Sequence, residues 1–168
     1  MIKRTATVSL CLFLLAAGPA HSYAASATDT AVEENSASVL DGLQEEDGIS
    51  HYYKNGKLVT DKIVTLDGSK YYFDKNGEMA SGILVIDKKF YCFRANGKYN
   101  AAKTTKIRKA AKYEKPFDKV KKLIGKPNKT KYYDSCYGNG KDGVLSYDNF
   151  TVYTFKPAQG KEIFMSAE

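Results

Sequence analysis

Apolar and polar positions along this chain repeat with a fixed period. Residues Ile63 to Met79 lie over Ile83 to Tyr99 without a gap at an offset of 20. Ile63, Asp67, Tyr71, Phe73, Asn76 and Gly77 recur as Ile83, Asp87, Tyr91, Phe93, Asn96 and Gly97. A degenerate copy precedes them at Tyr52 to Leu58. Short aromatic and aliphatic runs flank Asp67-Gly68 inside a unit and Asn55-Gly56, Asn76-Gly77 or Asn96-Gly97 at its end, which predicts one β-hairpin per unit. Asn-Gly suits a type I′ turn because both central residues need positive φ. A lone hairpin is marginal in water, so successive hairpins are expected to stack into a short β-solenoid over residues 48–100.

The periodicity stops after Tyr99. Residues 101–112 read as a basic, partly helical connector. Phe117, Val120, Leu123 and Ile124 then fall on one face of a short helix, with Pro116 at its first turn, Gly125 able to cap its end and Pro127 blocking continuation. Strand-like runs follow at Lys131 to Tyr137, at Val144 to Phe155 broken by an Asp148-Asn149 turn, and at Glu162 to Ser166. The expected fold class is mainly β, a short hairpin solenoid followed by a small α+β module at 113–168 in which a helix lies on an antiparallel sheet. Neither half is large enough to be self-sufficient, so the module is expected to cap the open end of the solenoid.

The N-terminus changes what is available to fold. Lys3 and Arg4 precede an apolar run from Val8 to Ala17, and Ser22 and Ala24 are small residues at a cleavage signal, so residues 1–24 read as a secretory signal peptide with Cys11 discarded inside it. No other stretch is long and apolar enough to be a transmembrane helix in the mature chain. Residues 25–47 carry seven acids and no Lys or Arg and read as an acidic disordered linker. The whole chain has a net charge of +7, but residues 48–168 hold 24 basic against 12 acidic residues, or +12. With export expected, an anionic wall polymer or membrane surface is more accessible than nucleic acid. Lys103, Lys106, Arg108, Lys109 and Lys112 are the candidates for polyanion contact, each phosphate met releasing a counterion. A basic face that only keeps the protein soluble is the alternative.

The Tyr-Tyr-Phe-Asp-x-Asn-Gly-x-Met run at 71–79, within its 20-residue unit, resembles the cell-wall-binding repeat of choline- and glucan-binding surface proteins of Gram-positive bacteria. The resemblance implies a secreted, surface-associated protein with a hairpin solenoid. In choline-binding members, it implies aromatic cages for quaternary ammonium groups. Such cages use the quadrupole of ring faces, with Trp the strongest. This chain has no Trp. Where the family carries Trp, it has Ile63 and Ile83, and Lys70 and Phe90; Lys70 would repel an ammonium group. For Tyr53, Tyr71, Tyr72, Phe73, Phe90, Tyr91 and Phe93, two readings stay open: interlayer packing, or stacking on sugar rings or a cation. The C-terminal pattern, from Leu-Ile-Gly-Lys-Pro to the Tyr-x-x-Phe-Thr-Val-Tyr-Thr-Phe run, resembles the β-lactamase inhibitory protein-like fold, which implies action by protein contact.

Candidate chemistry is sparse. Cys92 and Cys136 can form a disulfide in an exported chain, closing a loop worth roughly 3 to 4 kcal/mol on the chain-entropy model, or stay separate thiols. His51 is the only histidine after the signal peptide, which excludes a His-rich metal site and leaves a Cys-His dyad without support from spacing. Asp134, Asp142 and Asp148 do not follow the order of a calcium loop and read as turn residues. No cofactor or metal is expected, and no enzymatic activity. The sequence thus predicts a secreted, non-catalytic, wall-associated binding protein. The alternative is a protein-interaction or inhibitor-like module in which the repeats serve as anchor or spacer and a protein partner binds the C-terminal sheet.

Overall fold

The computed structural model describes residues 40–136 and 138–168. The expected signal peptide and most of the expected linker lie outside them. The described chain is mainly β with two helices. Three antiparallel hairpins come first: β1 (Gly42–Glu46) with β2 (Ile49–Lys54), β4 (Lys62–Leu66) with β5 (Ser69–Phe73), and β6 (Gly82–Ile86) with β7 (Lys89–Phe93). Each is closed by a short return segment. The two-residue β3 (Lys57–Leu58) pairs with β2, while Met79 bridges to Phe73 and Tyr99 to Phe93.

The first hairpin corrects the linker boundary. Residues Gly42–Glu46, placed in the acidic linker, form β1, with Gly42 opposite Tyr53 and Glu46 opposite Ile49. Asp47 and Gly48 have φ of 52° and 78°, the two positive values that a type I′ turn requires. The degenerate copy is therefore a complete hairpin. Its polar first strand is tolerated because β1 is an edge, where charged side chains also discourage pairing with other chains. The raggedness at its end is a one-residue deletion. Asn55-Gly56 is a two-residue turn with φ of 53° and 72°.

The other two unit ends differ from the expected turn. Gly77 has φ of 82°, and Asn76 is not among the residues with positive φ. The Gly77 amide donates to the Asp74 carbonyl and the Asp74 amide to the Glu78 carbonyl, both at 2.9 Å. This is a three-residue loop with a bulge glycine rather than a type I′ turn. The Asp74 carboxylate pins it by accepting from the Asn76 and Glu78 amides at 2.8 and 2.9 Å. Arg94 to Lys98 repeats the backbone pattern.

Hairpins are joined by backbone, by rings and by plugs. The Met79 amide donates to the Ser50 carbonyl, and the Tyr99 amide to the Lys70 carbonyl, each at 2.8 Å and each reaching back to the preceding hairpin. Tyr52 stacks on Phe73 at 5.7 Å between ring centroids, and Tyr72 on Phe93 at 6.3 Å. A Cβ at Gly77 would lie 2.8 Å from the Leu58 side chain, and one at Gly97 would collide with Met79. Each unit's last apolar residue thus fills the space above the next unit's bulge glycine, and only a residue without a side chain leaves that space.

After the third hairpin the stack ends on a helix. Asn100 caps α1 (Ala101–Ala110), its side chain accepting from the Lys103 amide at 3.0 Å. Thr104 and Ile107 of α1 are buried against β7. The Cys92 amide donates to the Thr104 hydroxyl at 2.9 Å. The expected connector is therefore a capping helix. Beyond it, α2 (Asp118–Ile124) follows a two-residue strand, β8 (Lys115–Pro116), and ends at Gly125 with φ of 90°. The sheet runs β8, β12 (Ile163–Ala167), β11 (Thr151–Pro157), β10 (Gly140–Ser146), β9 (Lys129–Asp134), antiparallel throughout. Strand β10 begins at Gly140, ahead of the run expected from Val144, and Gly143 is needed in it because a Cβ would sit 2.9 Å from the Tyr132 ring.

One core joins the third hairpin to this module. Phe90 of β7 packs with Ile107, Phe117, Val120, Leu145, Phe150, Val152 and Phe164, with Ile83 and Val85 of β6 at its margin. Its ring meets Phe150 edge-on at 5.6 Å and Phe164 at 6.1 Å. Phe90 stands where the preceding copies have Ser50 and Lys70, both facing no such core. The last repeat is thus chemically adapted as a docking face.

Candidate clefts of the hairpin array

The seven aromatic candidates separate by depth. Phe73, Phe90 and Phe93 are fully buried and Tyr72 nearly so. Phe73, Phe93 and Tyr72 make the interlayer stacks, and Phe90 belongs to the shared core. The Tyr72 hydroxyl donates to Asp61 at 2.7 Å, and burial together with this carboxylate raises its pKa well above the ordinary phenol value. Tyr53, Tyr71 and Tyr91 are half-buried and keep part of their rings at the surface.

Tyr91 faces a cleft of about 250 Å³ between the second and third hairpins, lined by Ile63, Lys70, Tyr91, Tyr99 and Arg108. Tyr91 and Tyr99 are 6.2 Å apart and tilted by 53°. Arg108 enters from α1. Its guanidinium carbon lies 4.2 Å above the Tyr91 ring, and its Nε donates to the Phe90 carbonyl at 2.6 Å. The ring face thus already holds a cation, supplied by the chain itself. One layer down, the repeat places Leu43, Ser50, Tyr71 and Met79 at the positions of Ile63, Lys70, Tyr91 and Tyr99. That layer has one ring where the upper has two.

The five basic candidates, four on α1 and Lys112 just past its end, do not form one patch. Helical geometry spreads consecutive positions by about 100°. Arg108 turns inward. Lys106 and Lys109 line a shallow cleft of about 500 Å³ with Lys119 and Lys122 of α2, floored by Ala110 and Leu123. Lys112 joins Lys88 and Lys89 of the third hairpin on another groove, and Lys103 lies beside Lys126 and Asp148 on a third. The lysines of α2 were not among the sequence candidates. Their three-residue spacing, matching that of Lys106 and Lys109, was the available signal.

The two cysteines are separate thiols: Cys92 is buried and Cys136 exposed, and neither is bridged. This corrects the alternative of a disulfide between them. Desolvation raises the Cys92 thiol pKa. The reason for a cysteine at 92 is positional. Preceding copies place Tyr52 and Tyr72 there to stack on the next hairpin, whereas the buried Cys92 meets α1, its amide bonded to Thr104. His51 is engaged as well, its Nδ1 donating to the Gly77 carbonyl at 3.0 Å. Of the three aspartates read as turn residues, Asp148 lies in the turn after β10 and accepts from the Asn128 amide, whereas Asp142 lies within β10 and accepts from the Ser135 hydroxyl at 2.6 Å. Among the described residues, no three His, Cys, Asp or Glu side chains are grouped to hold a metal ion, and no helix is long and apolar enough to cross a membrane.

The choline-binding repeat family matches residues 40–82 and 59–99. The match spans the three stacked hairpins. The choline-binding domain of Spr1274 from Streptococcus pneumoniae is 26% identical, the alignment covering 37% of this chain and 96% of that one with a TM-score of 0.34. The modular Cpl-1 endolysin, solved with a peptidoglycan analogue, is 18% identical over 73% of this chain and 30% of its own, with a TM-score of 0.36. Choline binding protein F from Streptococcus pneumoniae is 20% identical over 73% of this chain and 34% of its own, with a TM-score of 0.34. The chain thus spans about a third of these two longer proteins. No curated protein matches it. The matched choline-binding repeats begin at residue 40, so the family pattern includes the acidic first hairpin.

Proposed function

We propose that this chain is a secreted, non-catalytic wall-attachment module whose choline-binding repeats and basic flank hold it to an anionic polymer or glycan of a Gram-positive envelope. The observation that carries the reading is the continuous hairpin stack with half-exposed Tyr53, Tyr71 and Tyr91, Lys70 sharing a cleft with Tyr91, and a separate lysine-lined cleft between α1 and α2. Rings at the surface offer stacking faces to sugars, and the lysines offer charge to phosphates. Choline itself fits the upper cleft poorly, because Lys70 and Arg108 already place two positive charges there. The expected signal peptide at residues 1–24 supplies the export that the reading requires. Retention on purified cell walls tests it, measured before and after teichoic acid extraction and at two salt concentrations. Retention that depends on the polymer and weakens with salt is the expected result; absence of retention on intact walls refutes attachment.

A second reading is favoured by one observation. All six residues of the edge strand β9 are exposed, including Tyr132 and Tyr133, so the C-terminal sheet offers an open edge to a protein partner. Recovery of a specific protein on the immobilised chain, lost on substituting Tyr133→Asp, supports that use.

A further inference from the structure

We propose that the cleft between the second and third hairpins is an oxyanion site, taking a phosphate or carboxylate group rather than an ammonium. Its charged lining is Lys70 and Arg108, both positive, and no carboxylate lines it. Two cations sharing one cleft repel each other, and an anion between them relieves that repulsion. Arg108 is held in place on both sides, by the Phe90 carbonyl at its Nε and by the Tyr91 face under its guanidinium. A guanidinium fixed in this way loses little freedom when it binds a planar or tetrahedral oxyanion. It is also incompletely satisfied: Arg108 Nη2 is shielded from water and has no hydrogen-bond acceptor among the described residues. An oxyanion seated between Lys70 and Arg108 offers this donor the acceptor that the chain does not provide. The Tyr91 and Tyr99 rings wall the cleft beside the two cations. One layer down, Leu43, Ser50, Tyr71 and Met79 bring no charge, so the site belongs to the upper layer alone.

The existence of the site is independent of wall attachment; the assignment of the oxyanion to a wall polymer rests on that reading. The test is an NMR titration of the full mature chain, following Tyr91, Tyr99 and the Arg108 Nε. Sodium phosphate, glycerol phosphate and acetate are added in turn against sodium chloride at matched ionic strength, with tetramethylammonium chloride as the probe of opposite sign. Saturable shifts with at least one oxyanion are expected, phosphate esters pointing to a polymer phosphodiester and acetate alone to a peptide carboxylate. Lys70 is exposed, so Lys70→Glu leaves the fold intact and is expected to weaken binding at least tenfold, the scale of one charge-assisted hydrogen bond. Arg108→Lys keeps the charge but loses the fork, and should weaken binding as well. Equal shifts with chloride, saturation by tetramethylammonium, or unchanged affinity in Lys70→Glu overturns the proposal. Wall retention without phosphate or acetate binding overturns this site alone; oxyanion binding without wall retention overturns attachment alone.

Discussion

Replacing Phe90 with alanine tests whether the last hairpin and the C-terminal module are one cooperative structure. Phe90 is 2% exposed and contacts both Phe150 and Phe164 from across the module boundary. Truncating a buried phenylalanine costs about 3–5 kcal/mol through lost transfer energy and the cavity left behind. Collapse of the site is limited because its walls come from three separately anchored elements, β7, β11 with its preceding turn, and β12. For a folded part of this size, 1 kcal/mol moves the melting temperature by roughly 3–5 °C, so Phe90→Ala should lower Tm by about 10–20 °C in a thermal scan followed by near-UV circular dichroism. Lys70→Ala, at the equivalent position one repeat earlier, should move it by less than about 2 °C, since surface changes fall within about 0.5 kcal/mol. A Phe90→Ala chain that melts within about 4 °C of the parent would show that the shared core does not couple the two parts, and the docking-face reading would fail.

Residues 40–100 expressed without the module should be poorly folded, because Ile83, Val85, Phe90 and Cys92 would lose their cover; a sharp cooperative melt of that fragment contradicts this. Lys88 sits at φ 59° in the turn where the preceding copies have Gly48 and Gly68, so Lys88→Gly should stabilise by about 1 kcal/mol, read as a rise in denaturant midpoint without a change in slope. Burial, with the Glu162 carboxylate adding to it, pushes Tyr132 and Tyr147 up to about 12, and Tyr72 rises further still. Neutral phenols whose folded pKa exceeds the unfolded value of about 10 support the fold fully below pH 10 and progressively less as pH climbs toward 12 and beyond. Stability should therefore be flat up to about pH 9 and fall between about pH 10 and 12. Absorbance at the phenolate band should show a delayed group of tyrosines that ionises only with unfolding; a single unperturbed titration of all of them would refute the assignment.

Much of the architecture was legible in the residues because it is local. The 20-residue period, the Asp-Gly turns and the apolar face of α2 each depend on neighbours within a few positions, and their geometry follows from φ preference and helical or strand periodicity. Gly42–Glu46 escaped notice because its composition is polar and acidic. Its strand is formed by pairing with β2 through the Asp47-Gly48 turn rather than by apolar burial. The turn signal at the right offset was present all the same. The difference between Asn55-Gly56 and the two bulged loops lay in a single deleted residue.

Tertiary packing decided the rest. The stacking of Tyr52 on Phe73, the plugs of Leu58 and Met79 against bulge glycines, and the burial of Phe90 all depend on which residues distant in sequence meet. The same holds for charge. Five cations close together in sequence looked like one polyanion stripe, yet the helix turns Arg108 inward over Tyr91 and brings Lys106 and Lys109 beside two lysines of α2. Sequence determined that hairpins form and repeat, since the energetics of a turn are local. Whether a ring or a guanidinium faces a neighbour, a cleft or water is set by long-range contacts, and those exist only once the layers have closed on one another.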